Sequence, residues 1–321
     1  VKVYKEPLYR RYYAPPCSPA CMYYLGASVA LLLVPFFMAY NPHTFWLKTD
    51  TYLEQPEITF TKQLLVLAEG FAAGEPLSAS FATLAGVNGL NHAHLRDTIV
   101  KSLPSDTNRD GLMDRLVVNV RLPLRDREEI NSIKLLVFFR ARLRDRAKVE
   151  IDTMSFLEHG GALPGSSLRV EGDLHLRQSW PMSVYGGYQH PYSGDPLIDA
   201  GTLTSAAQAS FSSLLERHAS RNLTINFEPK YALWERASPH GVLGRGDAKV
   251  SPRFFNLTAV FRVNQQPILY TPPVSEVLLA GWIKYIAMLA VVLFLVDALS
   301  AFVLRHQVVE TRVVTPNVGV G

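Results

Sequence analysis

The chain has 321 residues, of which 48% are hydrophobic and 19% are charged, and its formal net charge is only +4. This composition excludes a disordered polymer, and so small a charge excludes a protein that binds nucleic acid through bulk electrostatic attraction. Two cysteines are too few for a disulfide-dense secreted scaffold.

An uncharged apolar segment lies near the N-terminus, at residues 21–40. Its length is about what an α-helix needs to cross the ~30 Å of hydrocarbon in a bilayer. A cleaved signal peptide has a similar composition, but its apolar region is shorter and follows a shorter leader. We therefore predict an uncleaved membrane-spanning helix at 21–40, preceded by a tail at 1–20.

A second apolar segment covers residues 277–304 and contains two charges, Lys284 and Asp297. A buried core helix is the alternative that these charges permit. Lys284 lies near one end, where its long side chain can reach the membrane interface beside the interfacial aromatics Trp282 and Tyr285. We predict a second span here, with Lys284 and Asp297 as candidates for contacts inside the membrane. For Asp297, solvation near the opposite interface is the alternative to a helix contact.

The charges of the two tails predict the orientation of the chain. The segment 1–20 carries four basic residues against one acidic residue, and the segment 305–321 carries two against one. Because positive flanks face the cytoplasm, both tails are predicted to be cytoplasmic and residues 41–276 lumenal or extracellular. Two N-glycosylation sequons, at Asn222 and Asn256, fall in that outer region.

Both cysteines lie at the predicted cytoplasmic end of the first span, at Cys17 and Cys21. Cysteines beside a membrane are candidates for palmitoylation, and two unmodified thiols are the alternative. The outer region contains no cysteine, so its fold must be stable without disulfides.

The outer region is predicted to be mainly β. Apolar and polar residues alternate from Leu168 to Arg177, which indicates a strand with one buried and one wet face. Short strands separated by turns are typical of an antiparallel β-sandwich, and the segment 205–218 has the pattern of one amphipathic helix. Further strands are predicted at 58–67, 115–122, 133–143, 149–156, 223–227 and 257–263, with turns at Gly160-Gly161, Pro164-Gly165, Gly186-Gly187 and Pro272-Pro273.

One loop has the composition of a calcium site. Oxygen-bearing side chains recur at Asp106, Asn108, Asp110 and Asp114, and a glycine stands at the sixth position. Ca²⁺ takes six to eight oxygen ligands, and the backbone carbonyl of Leu112 would add another. The glutamate that ends an EF-hand loop is missing, and a predicted strand follows, as in calcium loops between β-strands. We predict a structural Ca²⁺ here, with a metal-free turn as the alternative.

No motif indicates catalysis. The sequence contains neither a Gly-x-Ser-x-Gly elbow nor a His-Glu-x-x-His zinc motif. The pair His92 and His94 has no third ligand nearby, so it does not indicate a metal site. The glycines of 241–246 lack the strand–turn–helix context of a phosphate-binding loop. The arginines of 140–146 alternate with apolar residues, as on the solvent-facing side of a strand. We predict that the protein is not an enzyme and has no small-molecule substrate.

Several short motifs occur in a fixed order relative to the two spans. Phe45-Trp46-Leu47-Lys48 and Glu54-Gln55-Pro56 follow the first span, then come the loop at 106–114 and the sequon at Asn222, and Trp282-Ile283-Lys284-Tyr285 lies in the second span. With this order the chain resembles the transmembrane protein 231 family. The segments 72–95 and 183–202 depart from the family in length.

The resemblance implies a non-enzymatic membrane component of the Meckel syndrome/tectonic-like complex, in the ciliary membrane at the transition zone. There it would be a scaffold of the diffusion gate that controls ciliary membrane protein composition and cilium assembly. The expected partners are tectonics, B9-domain proteins and other transition-zone membrane proteins.

A ligand-binding ectodomain is the alternative function, in which a β-sandwich of a two-span receptor holds a glycan or a lipid. Trp180, Tyr185, Tyr188 and Tyr192 are close in the sequence and could form an aromatic platform for such a ligand. This alternative predicts a cleft lined by these rings.

Overall fold

The computed structural model describes residues 10–40, 46–90, 94–198, 210–236 and 253–314. The chain divides into two compact units. The membrane unit consists of Val1–Lys48 together with Pro272–Gly321, and the β unit consists of Thr49–Thr271.

Within the described ranges the chain forms four helices and thirteen strands. The helices are α1 (Pro19–Tyr40), α2 (Ala85–Leu90), α3 (Phe211–Ala219) and α4 (Val274–Arg305). The strands are β1 (Arg11–Tyr13), β2 (Asp50–Glu54), β3 (Glu57–Ala72), β4 (Glu75–Ala82), β5 (Ile99–Ser105), β6 (Arg115–Leu124), β7 (Glu128–Leu143), β8 (Val149–Gln178), β9 (Met182–Ser183), β10 (Leu223–Arg236), β11 (Arg253–Arg262), β12 (Gln266–Thr271) and β13 (Arg312–Val314).

The membrane unit is built on α1 and α4. Both helices are long and apolar enough to cross a bilayer, and almost none of their apolar stretches is buried within the protein. An apolar helix surface of this extent is stable only in lipid or against other helices. The helices therefore confirm the two spans that the sequence predicts near the chain ends.

The β unit is a curled sheet with a small second sheet against its core. Over the described residues the main sheet has the strand order β4-β3-β7-β8-β11-β6-β5, with β10 paired to β8, and the small sheet has the order β2-β12-β9. Pairing is antiparallel except between β8 and β11 and between β9 and β12. Ile268 of the small sheet is fully buried in the same core as Phe139 and Phe261 of the main sheet. The mainly β, sandwich-like fold is thus confirmed.

The middle strands of the main sheet are apolar on both faces. In β7 the residues Leu135, Val137 and Phe139 belong to the main core, whereas Leu136 and Phe138 belong to a second cluster on the opposite face. A continuous apolar run is the pattern expected of a strand that is covered on both sides. The second cluster is completed by residues of α2 and α3, which lie over this face.

The predicted helix at 205–218 is present as α3, and residues 205–209 lie outside the described ranges. Ser210 precedes the helix in an extended conformation, and its side chain accepts a hydrogen bond from the Ser213 N–H. Such a cap satisfies one of the free N–H groups of the first turn. Leu214 faces the sheet and is almost fully buried.

The turns predicted at Gly160-Gly161 and Pro164-Gly165 are wrong, because β8 continues through both as one strand of 30 residues. The physical reason is Trp234 on the neighbouring strand β10. A Cβ atom on Gly161 or Gly165 would come closer than 3.0 Å to the Trp234 ring. Gly161 and Gly165 therefore leave space for the Trp234 indole. Its Nε1–H donates a hydrogen bond to the Leu163 carbonyl at 3.1 Å.

Candidate functional site

The two apolar helices pack as an antiparallel pair. The hydroxyl of Tyr23, near the start of α1, lies 3.2 Å from the Ser300 hydroxyl, near the end of α4. Beyond the helices, β1 pairs antiparallel with β13 in a short ribbon that joins the two tails. Both tails therefore lie at the same end of the helix pair, so a bilayer crossed by both helices leaves them on one side. The sequence did not predict the ribbon.

Three of the six residues that the two helices bury are small, namely Ala20, Ala39 and Gly281. Without a hydrophobic force between helices in lipid, close approach through small residues is the usual way for spans to associate. The buried residues are Ala20, Pro35 and Ala39 on α1 and Val277, Gly281 and Val292 on α4.

The structure does not bring Lys284 and Asp297 together. Asp297 is the only charged residue of the helix between Lys284 and Arg305. At 1.5 Å per residue it lies about 12 Å along the axis from Arg305 and about 20 Å from Lys284. A carboxylate at the centre of a spanning helix costs about 2.5–3.5 kcal/mol. Asp297 lies about 11 Å along the axis from the middle of α4, so its cost is below that central value.

The two cysteines differ in accessibility. Cys17 is exposed in the turn before α1, and Cys21 is partly buried in the first turn of the helix. The backbone N–H of Cys21 donates to the Ser18 hydroxyl at 3.3 Å, which caps the helix. Both thiols are free, and their palmitoylation stays a prediction.

The loop before β6 is a closed turn held by its own carboxylates. Asp106 accepts hydrogen bonds from the backbone N–H groups of Arg109 at 2.7 Å and Gly111 at 2.9 Å. Asp114 accepts from the Thr107 N–H at 2.8 Å. The Thr107 bond, followed by the bond from Gln55, holds the pKa of the Asp114 carboxyl below its ordinary value.

The remaining predicted calcium ligands join the same turn. Asn108 accepts from the Asp110 N–H at 3.1 Å, and Asp110 accepts from the Leu112 N–H at 2.7 Å. The donor chemistry therefore suits Ca²⁺, with carboxylate and amide oxygens in one tight loop. However, no group of three or more Asp, Glu, His or Cys side chains is gathered closely enough to hold a metal in the part of the chain that the structure describes. A bound ion requires these side chains to rotate, and the calcium site stays a prediction.

If the loop binds Ca²⁺, chelation is expected to lower the thermal stability of the β unit. A ligand that binds only the folded state at a hundredfold excess over its dissociation constant stabilises it by about 2.7 kcal/mol. The measurement is thermal unfolding of the detergent-solubilised chain with Ca²⁺ or with chelator. Asp110→Asn is the matched control, because it keeps the side-chain size and removes a charged ligand. Equal midpoints with and without chelator in the natural chain contradict the calcium prediction.

Both predicted glycosylation sites present their asparagine to solvent. Asn222 lies in the short connection between α3 and β10, and its side chain is exposed. Asn256 lies within β11, between Arg121 on β6 and Ser167 on β8, and is exposed on the sheet surface. A glycan at either position extends into solvent without displacing core residues.

If the β unit is lumenal or extracellular, glycosidase treatment is expected to lower the apparent mass of the chain. Asn222→Gln and Asn256→Gln are each expected to remove one glycan, and the double variant is expected to be insensitive to the enzyme. Asparagine variants are preferable to Thr224→Ala, because Thr224 is buried and its loss would disturb the fold. A natural chain without glycan at either position contradicts the predicted glycosylation.

The alternating arginines of β7 form a ladder of ion pairs. Arg140 pairs with Asp152 at 2.8 Å and with Glu150 at 3.6 Å, and both carboxylates lie on β8. Arg142 also reaches Glu150, at 3.9 Å, and Arg144, just after the end of β7, pairs with Glu57 on β3. Opposite charges across adjacent strands stabilise a sheet modestly, and their balance leaves little net charge to attract a ligand.

The four aromatic residues of the 180–192 segment do not form one continuous exposed surface. Trp180, Tyr185 and Tyr188 are exposed, and Tyr188 stacks under Arg142 at 4.3 Å. Tyr192 packs against the core, and its hydroxyl accepts a hydrogen bond from the Leu223 N–H at 3.0 Å. The four-ring platform of the ligand-binding alternative is therefore incomplete.

Two other motifs have no site in the described structure. The glycines of 241–246 and His92 lie outside the described residues. The Nδ1 atom of His94 lies 3.0 Å from the carbonyl oxygen of Ser78 on β4, so this ring nitrogen contacts the backbone of that strand.

A buried carboxylate that the sequence analysis missed lies on β8. Glu171 is only 6% exposed, accepts a hydrogen bond from the Tyr231 hydroxyl at 2.8 Å and pairs with Arg262. The hydroxyl bond and then the guanidinium lower the pKa of Glu171, against the desolvation that raises it. The alternation of apolar and polar residues predicts that Glu171 lies on the solvent-facing side of β8. It is buried because β10 and β11 pair with β8 on either side.

A second buried polar cluster lies beside α3. Arg221 donates to the backbone carbonyls of Asp152 at 2.8 Å and of Asp195, and it stacks on the Tyr192 ring at 4.3 Å. His218 lies within 3.3 Å of the Thr153 hydroxyl. Burial, with the Arg221 charge as the next cause, lowers the pKa of His218 to about 4.

These features define a two-pass membrane protein with a separate β-rich unit. The chain belongs to the transmembrane protein 231 family, because the sequence model described as "Transmembrane protein 231" matches residues 1–313. The membership that the resemblance suggested is thus confirmed.

Relatives of the same description cover nearly the whole chain. Transmembrane protein 231 of Mus musculus is 32% identical over 310 residues, which is 96% of this chain and 93% of the relative. The Bos taurus protein is 31% identical over 315 residues, which is 98% of this chain and 95% of the relative, and the Homo sapiens protein is 30% identical over 320 residues with the same shares. A solved proton-activated chloride channel matches 89% of this chain and 98% of its own at 8% identity, with a TM-score of 0.29 that supports no conclusion.

Proposed function

We propose that this protein is a non-enzymatic scaffold of the ciliary transition zone, within the membrane complex that limits exchange between the plasma membrane and the cilium. In this role it contributes to the diffusion gate and to cilium assembly. Its partners are tectonics, B9-domain proteins and other transition-zone membrane proteins, and both tails face the cytoplasm.

The observation that carries this proposal is family membership over residues 1–313, which include both spans and the whole β unit. The construction of the chain is compatible with lateral assembly. Its two helices leave most of their apolar surface uncovered by the rest of the protein, so other spans can pack against them. The ion-pair ladder of β7 balances its arginines with Glu57, Glu150 and Asp152, as expected of a structural surface.

The proposal is tested by expressing the tagged full chain in ciliated cells whose own copy is removed. The expected result is a narrow band of the tag at the ciliary base, together with restored exclusion of a plasma-membrane reporter from the cilium. Even labelling along the cilium, or a normal barrier in cells that lack the protein, contradicts the proposal. Cys17 labelling by an impermeant reagent from outside the cell contradicts the proposed orientation.

A further inference from the structure

A lateral groove lies along the helix pair at the end where the two tails meet. We call it the tail-side groove, and its volume is about 490 Å³. Ala20, Tyr24 and Ala27 of α1 form one wall, and Leu293, Val296 and Leu304 of α4 form the other. All of these residues belong to the membrane unit.

Asp297 lies on the groove-lining face of α4. The groove residues at positions 293, 296, 297, 300 and 304 follow the three- and four-residue spacing of a single helix face. Asp297 has no hydrogen bond or ion pair with any residue that the structure describes. The groove is lined mainly by apolar surface, and the exposed Asp297 carboxylate is the charged group in that lining.

A second polar group at the groove is also unsatisfied. The hydroxyl oxygen of Thr311, just before β13, is buried and has no hydrogen-bond partner among the described residues. The hydroxyls of Tyr23 and Ser300 lie in the same lining and bond to each other. A buried group without a partner is unfavourable, and a donor brought in from outside would satisfy it.

We propose that the tail-side groove receives a transmembrane helix of another protein, which places a lysine or arginine side chain against Asp297. The charge supplies the argument for this occupant, because an isolated carboxylate within a span is stabilised by pairing with a cation or a strong donor. The proposal deepens the proposed scaffold function, on which it rests, by naming the chemistry of a lateral partner.

Within its two spans, a second copy of this chain offers no cation at the depth of Asp297. Copies inserted in one membrane share an orientation, so Lys284 of another copy stands about 20 Å in depth from Asp297. The first span contains no charged residue between Cys21 and Tyr40. An anionic lipid headgroup is disfavoured by repulsion from the carboxylate. A basic residue on a different spanning helix remains the complementary occupant.

The test uses the full chain in phosphatidylcholine vesicles and a synthetic polyleucine spanning helix with one lysine at the depth of Asp297. Energy transfer between labels on the two measures binding. The lysine helix is expected to bind at least tenfold more tightly than an all-leucine helix, and Asp297→Asn is expected to abolish that difference. Equal binding of the two helices to the natural chain overturns the proposal, as does a bound lipid that the lysine helix cannot displace.

A matched control keeps the charge in the membrane and moves it off the groove face. Asp297→Ala combined with Ala298→Asp rotates the carboxylate by about 100° around the helix, and this variant is expected to lose the preference for lysine. Asp297→Glu is expected to retain it, and unchanged binding of the all-leucine helix by every variant shows that the loss is not a general failure to fold. Retained preference in the moved-charge variant overturns the proposal. The assay contains no ciliary component, so its failure leaves transition-zone localisation to be judged separately.

Discussion

Replacing Phe261 by alanine is expected to lower the free energy of unfolding of the β unit by about 3–5 kcal/mol. Phe261 lies on β11 and is fully buried. Its ring makes edge contacts with Phe139 at 5.5 Å and Phe227 at 4.9 Å between ring centroids. The substitution thus removes a large buried side chain and leaves a cavity where three strands, β7, β10 and β11, meet.

The size of this effect follows from the position of β11. The strand pairs with β6 on one side and β8 on the other, so its backbone has little freedom to move inward and fill the space. Each lost aromatic pair adds about 0.5–1.5 kcal/mol to the loss of buried area. A cavity in such a rigid place gives a cost near the upper end of the range for phenylalanine.

Pulse proteolysis of the detergent-solubilised chain across a urea series measures the change. Phe71→Ala is the matched control, because it makes the same chemical change at a side chain on β3 that is 50% exposed. That control is expected to lower stability by only about 1 kcal/mol, because half of the ring is already in solvent. Similar losses for the two variants would show that the core around Phe261 is not packed as described.

The spans and most strands are predictable from the sequence because one physical quantity determines each. Apolar length identifies α1 and, despite its charges at Lys284 and Asp297, α4. Alternation identifies the second half of β8 from Leu168 onward. The run Leu135–Phe139 was assigned correctly to a strand, although its continuous apolar pattern signals a second covering layer that alternation alone does not reveal.

The remaining features depend on partners that are distant in the sequence. Gly160 to Gly165 read locally as turns, but Trp234 in β10 needs small residues there and thereby keeps the strand continuous. The ribbon of β1 and β13 joins residues at opposite ends of the chain. No local pattern encodes such pairs, since each strand of the ribbon has only three residues.

The same distinction applies to the candidate sites. The Asp106–Asp114 loop was predicted as a calcium site from the spacing of its oxygen-bearing side chains, and the hydrogen bonds of the turn run between neighbours in the sequence. Only part of the environment of Asp297 was predictable from the sequence. Its charge within a span is visible in the sequence, but the groove beside it exists because α1 packs antiparallel to α4. The sequence therefore identified the unusual residue, and the fold shows which surface it lines.

Acidification from pH 7 to pH 5 is expected to destabilise the β unit by about 2 kcal/mol through His218 alone. Burial holds the pKa of His218 at about 4 in the folded chain, against 6.5 as its ordinary value. The unfolded chain therefore binds the proton more readily than the folded chain. The stabilisation is fully present above about pH 6.5 and is lost as the pH falls from there toward 4.

The charged neighbours of His218 explain why its protonation is unfavourable. The Arg221 guanidinium is buried in the same cluster, and the Nε2 atom of His218 faces the Thr153 hydroxyl and no carboxylate within ion-pairing distance among the described residues. Burial also lowers the pKa of Arg221, as expected where positive charge is poorly solvated. Protonation of His218 would therefore place a second positive charge beside the buried Arg221 guanidinium.

The measurement is the urea midpoint of the β unit at several pH values between 7 and 5. This window lies above the range in which Glu171, whose pKa is also lowered, would contribute. His218→Gln is expected to remove most of the pH slope, even if it lowers stability at every pH. His175→Gln, which removes an exposed imidazole from β8, controls for the loss of a histidine as such. An unchanged slope in His218→Gln would mean that His218 is not buried as a neutral imidazole. The acid sensitivity of the fold would then have to arise elsewhere in the β unit.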